Sequence, residues 1–421
     1  MSSLVIPRRA FATALVPAAG LLGAGAQGWD LGSVAAPPPG QTIYNVANFP
    51  GANAGQKIQA CINALPPTGG IADARSLPPS ISIPDGLKIN KPVRIEFGGQ
   101  QAKLGGTILM EKASGAAIVG ASASWAEDPQ GTVFQWVGNA TDPAFAMSSA
   151  YNCHLENFQV FVKPPHTLAA GVYMATDIGS WVSHNNVLEN LVIHSDFWAL
   201  DKGVQLAVGP GGDTNNDHML FLHVAVFGYR TAAFSIEHVN SKLHTFVGCE
   251  ANGAGVGKYG VTTALNDSTG GSFAWYGGMM ADNAEADFYL GPPTDAILIS
   301  GGCSQASTRL LETTGGSGAA WGVVVEGFIW GSANLPDDHN VIVYTHRGAL
   351  TLIGNDLGFA NAPAQIFVGS SGPAAAVAIG NQIWTTLDQP FVGNDMTEWT
   401  LLGNMRSGPD GSGKPIPNHI P

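Results

Sequence analysis

Apolar residues in this chain rarely keep a helical period. They come in short runs broken by a small or amide residue, and the same break returns again and again. It opens at Leu155-Glu156-Asn157-Phe158 and recurs at Leu188-Glu189-Asn190-Leu191, Phe221-Leu222-His223-Val224 and Phe246-Val247-Gly248-Cys249. It continues at Trp275-Tyr276-Gly277-Gly278, Ile299-Ser300-Gly301-Gly302, Val325-Glu326-Gly327-Phe328, Ile353-Gly354-Asn355-Asp356 and Ile379-Gly380-Asn381-Gln382. The spacing is about 24 to 33 residues, inside the ~20–50 range of solenoid repeats. A further strand follows each break, as at Val204-Gln205-Leu206, Phe234-Ser235-Ile236, Val261-Thr262-Thr263 and Phe288-Tyr289-Leu290. Leu310-Leu311-Glu312, Val341-Ile342-Val343 and Gln365-Ile366-Phe367 hold equivalent places. One such unit cannot bury its apolar side alone, whereas units stacked ~4.8 Å apart share a continuous core. The pattern therefore predicts an all-β chain, a parallel β-helix. Leucine-rich repeats would need a stricter leucine register, and propeller blades run longer, about 40 residues.

The N-terminal part differs. Tyr44-Asn45-Val46 reads as a strand, and Ile58, Cys61, Ile62 and Leu65 are apolar at i, i+3, i+4 and i+7, an amphipathic helix. Such a helix can cap the open first coil. Gly69-Gly70-Ile71-Ala72-Asp73-Ala74 then starts the coils. With Leu87 to Val93, Gly105-Gly106-Thr107-Ile108, Ile118-Val119-Gly120-Ala121 and Thr132-Val133-Phe134, this opening resembles the pectate-lyase-like superfamily. The resemblance spans roughly residues 40 to 400 and implies a right-handed parallel β-helix with an N-terminal capping helix. It does not select a chemistry, because that superfamily holds lyases, hydrolases, epimerases, transferases and non-catalytic adhesins. The Asn-Thr-Asp, Asp-Asp, Gly-His-Gly and Arg-Ile-Lys set of polygalacturonase-type hydrolases is missing, Asp337-Asp338 being an Asp pair without its partners. So are the calcium carboxylates and Arg-x-Pro-x-x-Arg of pectate lyases, and no catalytic residue carries over.

The ends are organised separately. Residues 1–26, with Arg8-Arg9-Ala10-Phe11 before an Ala/Gly/Leu-rich run and Ala24-Gly25-Ala26, read as a signal peptide of twin-arginine type. Residues 27–40 read as a linker, 41–406 as the β-helix domain and 407–421 as a flexible tail. The expected location is the periplasm or the outside of the cell, with no membrane contact after signal removal. Register places Cys249 and Cys303 two coils apart, about 10 Å, too far for a disulfide. Cys153, Cys249 and Cys303 are expected as packed small residues and Cys61 on the cap face. Asn157, Asn190, Asn355 and Asn381 are expected to share one column as a ladder of stacked amides.

Composition sharpens this picture. Gly 55 and Pro 27 in 421 residues supply the turns, and only 12% of residues are charged. The net charge of −13 gives no basic footprint for nucleic acid. Charges and histidines gather near mid-chain, around the loop Gly209 to His218. Repeat register puts His184, Asp217 and Lys242 in one column, Asn185 and His218 in the next, and Asn186 and His244 in the one after, with Glu237-His238 and Glu250 close by. The candidate catalytic residues are Asp213, Asp217, His218, Arg230, Glu237, Lys242 and His244. Paired carboxylates among Asp213, Asp217 and Glu237 fit a glycoside hydrolase. Lys242, Arg230 and His218 or His244 fit a polysaccharide lyase, which removes a proton beside a neutralised uronate and for which Asp213 and Asp217 could hold Ca²⁺. A non-catalytic glycan-binding or surface β-helix is the third alternative. The partner expected is a polysaccharide or oligosaccharide, with no cofactor otherwise implied. Homo-oligomers occur among β-helices, but no heptad repeat supports one here.

Overall fold

The computed structural model describes residues 42–123, 131–176, 183–207, 216–238, 240–265, 271–291, 296–314, 322–332, 336–346, 348–358, 363–369, 374–394, 397–407 and 413–416. The expected signal peptide and linker lie outside them. The described chain is a right-handed parallel β-helix whose coils each contribute to three sheets. The first sheet runs from Ile43–Asn45 and Gly70–Asp73 through Val93–Glu96 and Ala117–Val119 to Leu350–Ile353, Ala374–Ile379 and Thr397–Leu402. The second runs from Ser80–Ile83 and Gln101–Leu104 to Gln382–Trp384 and Met405–Ser407. On two middle coils one long strand, His154–Val162 or Val187–Ser195, serves both. The third sheet has 12 strands, from Leu87–Ile89, Ile108–Glu111 and Pro143–Ser148 to Gln365–Val368 and Phe391–Gly393.

Parallel in-register pairing stacks like on like. The inward column Leu155, Leu188, Phe221, Phe246, Trp275, Ile299, Val325 and Leu352 is one residue per coil. Its aromatic members overlap, Phe221 on Phe246 with ring centroids 4.4 Å apart, and Trp275 is fully buried in the core.

The interrupting residue found in the sequence is the corner between the first and second sheets. Asn157, Asn190, His223, Gly248, Gly277, Gly301, Gly327, Gly354 and Gly380 all sit at φ between 49° and 67°. A left-handed residue turns the chain sharply there, and glycine or asparagine tolerates that conformation best. Asn355 and Asn381 are not in this column, as expected from the sequence, but in the next one with Asn404. There the buried amides stack, Asn355 Nδ2 donating to Asn381 Oδ1 and Asn381 Nδ2 to Asn404 Oδ1, each at 2.9 Å. The helix Ala54–Ala64 caps the first coil through Ile58, Cys61 and Ile62, capped in turn by Asn53, whose side chain accepts from Gln56 N.

Two further expectations are corrected. Cys61, Cys153 and Cys249 are buried, but Cys303 is exposed, because it falls in the outward column with Glu250 and Met279. Within the segment expected as a flexible tail, Gly413–Pro415 pairs antiparallel with the last strand of the second sheet and Ile416 is buried.

Candidate functional site

Alternation along the third sheet points Val172, Val204, Phe234, Val261 and Phe288 inward. The next column, Ala146, Tyr173, Gln205, Ser235, Thr262, Tyr289 and Glu312, therefore lines the outer face. The strands Leu168–Ala175, Leu200–Leu206 and Tyr229–Ile236 have 8, 7 and 8 residues, so this face is broadest at mid-solenoid. A cavity of about 960 Å³ lies on it. It starts at Gln56 and Gln59 of the cap helix and runs over Lys88, Leu109 and Ala146 to Tyr173 and Gln205.

The inner end of the cavity is a built polar cluster. Glu237, just past the strand Tyr229–Ile236, is only 4% exposed. Its carboxylate accepts from Lys202 Nζ at 2.6 Å, Ser235 Oγ at 2.7 Å and Gln205 Nε2 at 2.9 Å. With Nε2 so engaged, Gln205 is held in one orientation at the cavity wall. Burial, and secondarily the Glu237 charge, raises the Tyr173 phenol above its ordinary value.

The corner between the third and first sheets carries most of the other candidates. His184 pairs with Asp217 in register, and Asp217 Oδ1 accepts from Lys242 N at 3.1 Å. His218 N donates to Lys242 O at 2.9 Å. The column expected from the sequence is thus formed, and Tyr151 extends it by stacking on His184. Asn216 Nδ2 donates to Ala207 O at 3.1 Å, while Glu237 N donates to Leu206 O at 2.9 Å. Asn216, the neighbour of Asp217 in the chain, and Glu237 therefore both meet the end of the strand Leu200–Leu206.

Other candidates are not brought there. His244 is buried, with Nε2 3.0 Å from Ser241 Oγ, which itself donates to Asn216 O. Met219 N donates to its Nδ1 at 3.4 Å. Both ring nitrogens are used internally, and burial drives the imidazole pKa down to about 3, so His244 is a neutral structural group. Arg230 is the second residue of the strand that Glu237 follows, seven residues away and so about 20 Å along it. It lies 4.0 Å from Asp201 instead. Asp213 lies outside the described residues.

Two clusters escaped the sequence reading. Farther along the third-sheet face, Tyr259 stacks on Tyr289 with centroids 4.3 Å apart, and its hydroxyl donates to Glu285. Lys258 pairs with Glu285, and Arg309 with Glu312 and Asp338. Burial raises the Glu312 carboxyl, an effect that Arg309 opposes. On the first sheet, His154 Nε2 is 3.2 Å from Glu189, and Nδ1 is 4.0 Å from Glu156. Burial lowers the His154 pKa against both carboxylates. The in-register spacing of Glu156 and Glu189 is the sequence signal for this cluster. Among the described residues no group of three or more His, Cys, Asp or Glu is arranged to hold a metal ion.

No family model matches the chain, and no curated protein sequence does. Solved structures do match. The A-module of the mannuronan C-5 epimerase AlgE4 from Azotobacter vinelandii is 12% identical with a TM-score of 0.53, over 90% of this chain and 98% of that one. A DFA-IIIase from Arthrobacter chlorophenolicus, without its lid and in complex with GF2, is 11% identical with a TM-score of 0.54, over 86% of this chain and 94% of that one. These likenesses bear out the fold expected from the sequence, a parallel β-helix. No helix among the described residues is long and apolar enough to cross a membrane.

Proposed function

We propose that this protein is an exported carbohydrate-active enzyme that hydrolyses a glycosidic bond of a polysaccharide laid along the third sheet. The observation that carries this reading is the cavity that ends at Gln205, whose side-chain amide donates to the buried carboxylate of Glu237. Glycoside hydrolysis needs one carboxyl group to protonate the leaving oxygen and a second carboxylate to attack or to activate water. Three donors converge on Glu237, an arrangement suited to an ionised, acceptor-only carboxylate. We assign it the base or nucleophile role and Asp217 the proton donor. Tyr173 and Gln205 then orient the sugar beside the bond. Lys242 and His218 share the Asp217 corner and are positioning residues. That one structure of similar fold is by name a mannuronan epimerase is consistent with glycan chemistry on this scaffold.

The test is a panel of neutral and acidic polysaccharides, read for new reducing ends and for the ultraviolet band of an unsaturated sugar. Reducing ends without that band are expected. Glu237→Gln and Asp217→Asn should each lower kcat/KM by at least about 100-fold, the usual scale for losing an acid–base group. Full activity in both variants would sink the assignment, and an ultraviolet-absorbing product would replace hydrolysis by elimination.

A further inference from the structure

The charges of the third-sheet face are arranged in a way that selects the kind of glycan. Consider the basic side chains on its described strands and in the turns leading into them. Lys88 is 2.5 Å from Glu111, and Lys202 is 2.6 Å from Glu237. Arg230 is 4.0 Å from Asp201, and Lys258 is 3.0 Å from Glu285. Arg309 sits between Glu312 at 3.1 Å and Asp338 at 3.0 Å. Lys163 turns to the neighbouring sheet, its Nζ 5.7 Å from the Phe161 ring centroid. Among these described side chains, Lys88, Lys202, Arg230, Lys258 and Arg309 thus already have a carboxylate, and Arg309 has two. Asp85 adds a further acidic group at the cavity wall.

The remaining polar lining is uncharged, Gln56 and Gln59 of the cap helix together with Thr107, Thr141, Ser148, Tyr173 and Gln205. Amides and hydroxyls above a floor of Leu109, Pro143, Ala146 and Ala170 suit hydroxyl groups and the apolar faces of sugar rings. They offer nothing to neutralise a carboxylate or sulfate on every residue of a polyanion. The whole chain, at −13, repels such a polymer as well.

We infer that the substrate is a neutral glycan and that polyuronates are excluded. The inference rests on the proposed glycan-cleaving function and deepens it. Elimination requires a uronate, so the same charge arrangement sets the lyase alternative aside. It also separates this protein's substrate from the polyuronates named in the resemblance that its fold suggests.

Retention can be measured by affinity electrophoresis in gels containing dextran, laminarin or inulin as neutral probes and polygalacturonate or alginate as acidic ones. The full-length protein should be slowed by at least one neutral probe. It should bind the acidic probes at least tenfold more weakly, and added salt should narrow that gap. In the double variant Glu312→Gln/Asp338→Asn, Arg309 loses both partners, and retention by polygalacturonate should rise. Stronger retention of the wild type by a polyuronate than by every neutral probe would overturn the inference while leaving the glycan reading intact. Absence of retention on all probes, in wild type and variant alike, would remove the glycan reading itself and the inference with it.

Discussion

Lys202 and Glu237 form the least exposed ion pair in the candidate site, with side chains 16% and 5% accessible. Such a pair gains little over a well-packed apolar pair, but losing one member strands the other in a poorly solvated place. Lys202→Met alone should therefore cost more stability than the double variant Lys202→Met/Glu237→Met. The expected single-variant cost is about 3–5 kcal/mol, read from urea denaturation midpoints. If Glu237 is also the reactive carboxylate, the double variant should recover stability without recovering activity. Recovery of both would make the pair purely structural. Gln205 donates to the same carboxylate, so the pair also fixes the orientation of that amide at the cavity wall.

At the scale of strands and corners, the buried Asn column fastens the later coils. Asn381 Oδ1 accepts from both the backbone N and the Nδ2 of Asn355, at 3.0 and 2.9 Å, and its own Nδ2 donates to Leu352 O at 3.0 Å. Asn381→Ala leaves these buried groups unpaired, at about 1–3 kcal/mol each before relaxation. A loss of roughly 2–4 kcal/mol is expected, measured by thermal or urea unfolding, and a change below about 0.5 kcal/mol would show that water replaces the amide. These columns also explain what the sequence could and could not reveal. Register was legible because the break in the apolar runs recurs once per coil and can be counted from: it sets Phe234 over Val204 and His184 beside Asp217, and puts Cys303 two coils from Cys249. Facing was not legible wherever a corner intervened. Strand alternation alone assigns inside and outside, but the left-handed residues His218 and Leu243, at φ 56° and 60°, reset the parity. His244 was thus placed in the correct column and on the wrong side. The Asn ladder was misplaced by one residue for the same reason. Glu237 was found because it stands beside the mid-chain cluster of charges, whereas its partner Lys202 faces it across the irregular register between Leu200/Tyr229 and Lys202/Ala232, which sequence spacing does not reveal.

Across the whole molecule, a core with few charges still holds ionisable groups whose protonation must match the fold. His244 and His346 are buried, with pKa values lowered by burial to about 3 and about 4. The unfolded histidine titrates near 6.5, so their contribution is complete above that pH and is lost as pH falls through the folded values. Asp287 acts in the opposite direction. It points into the core, where Asn283 Nδ2 donates to it at 2.8 Å and Ser304, Ser307 and Trp330 surround it, yet burial outweighs these donors and raises its pKa to about 6. An acid with a raised folded value stabilises below its unfolded pKa near 3.9, and that contribution is lost as pH rises through about 6. The three groups bracket the stable range, the histidines weakening the acid side and Asp287 the neutral side. Asp287→Asn keeps the shape and removes the titration. Relative to wild type, the variant should therefore gain stability between pH 4 and pH 6 and level off above, by on the order of 3 kcal/mol in total. Urea midpoints of both proteins across that range measure the difference. A gap that stays constant with pH would show that Asp287 is not protonated in the folded core, and that its hydrogen-bond donors, rather than its burial, set its charge.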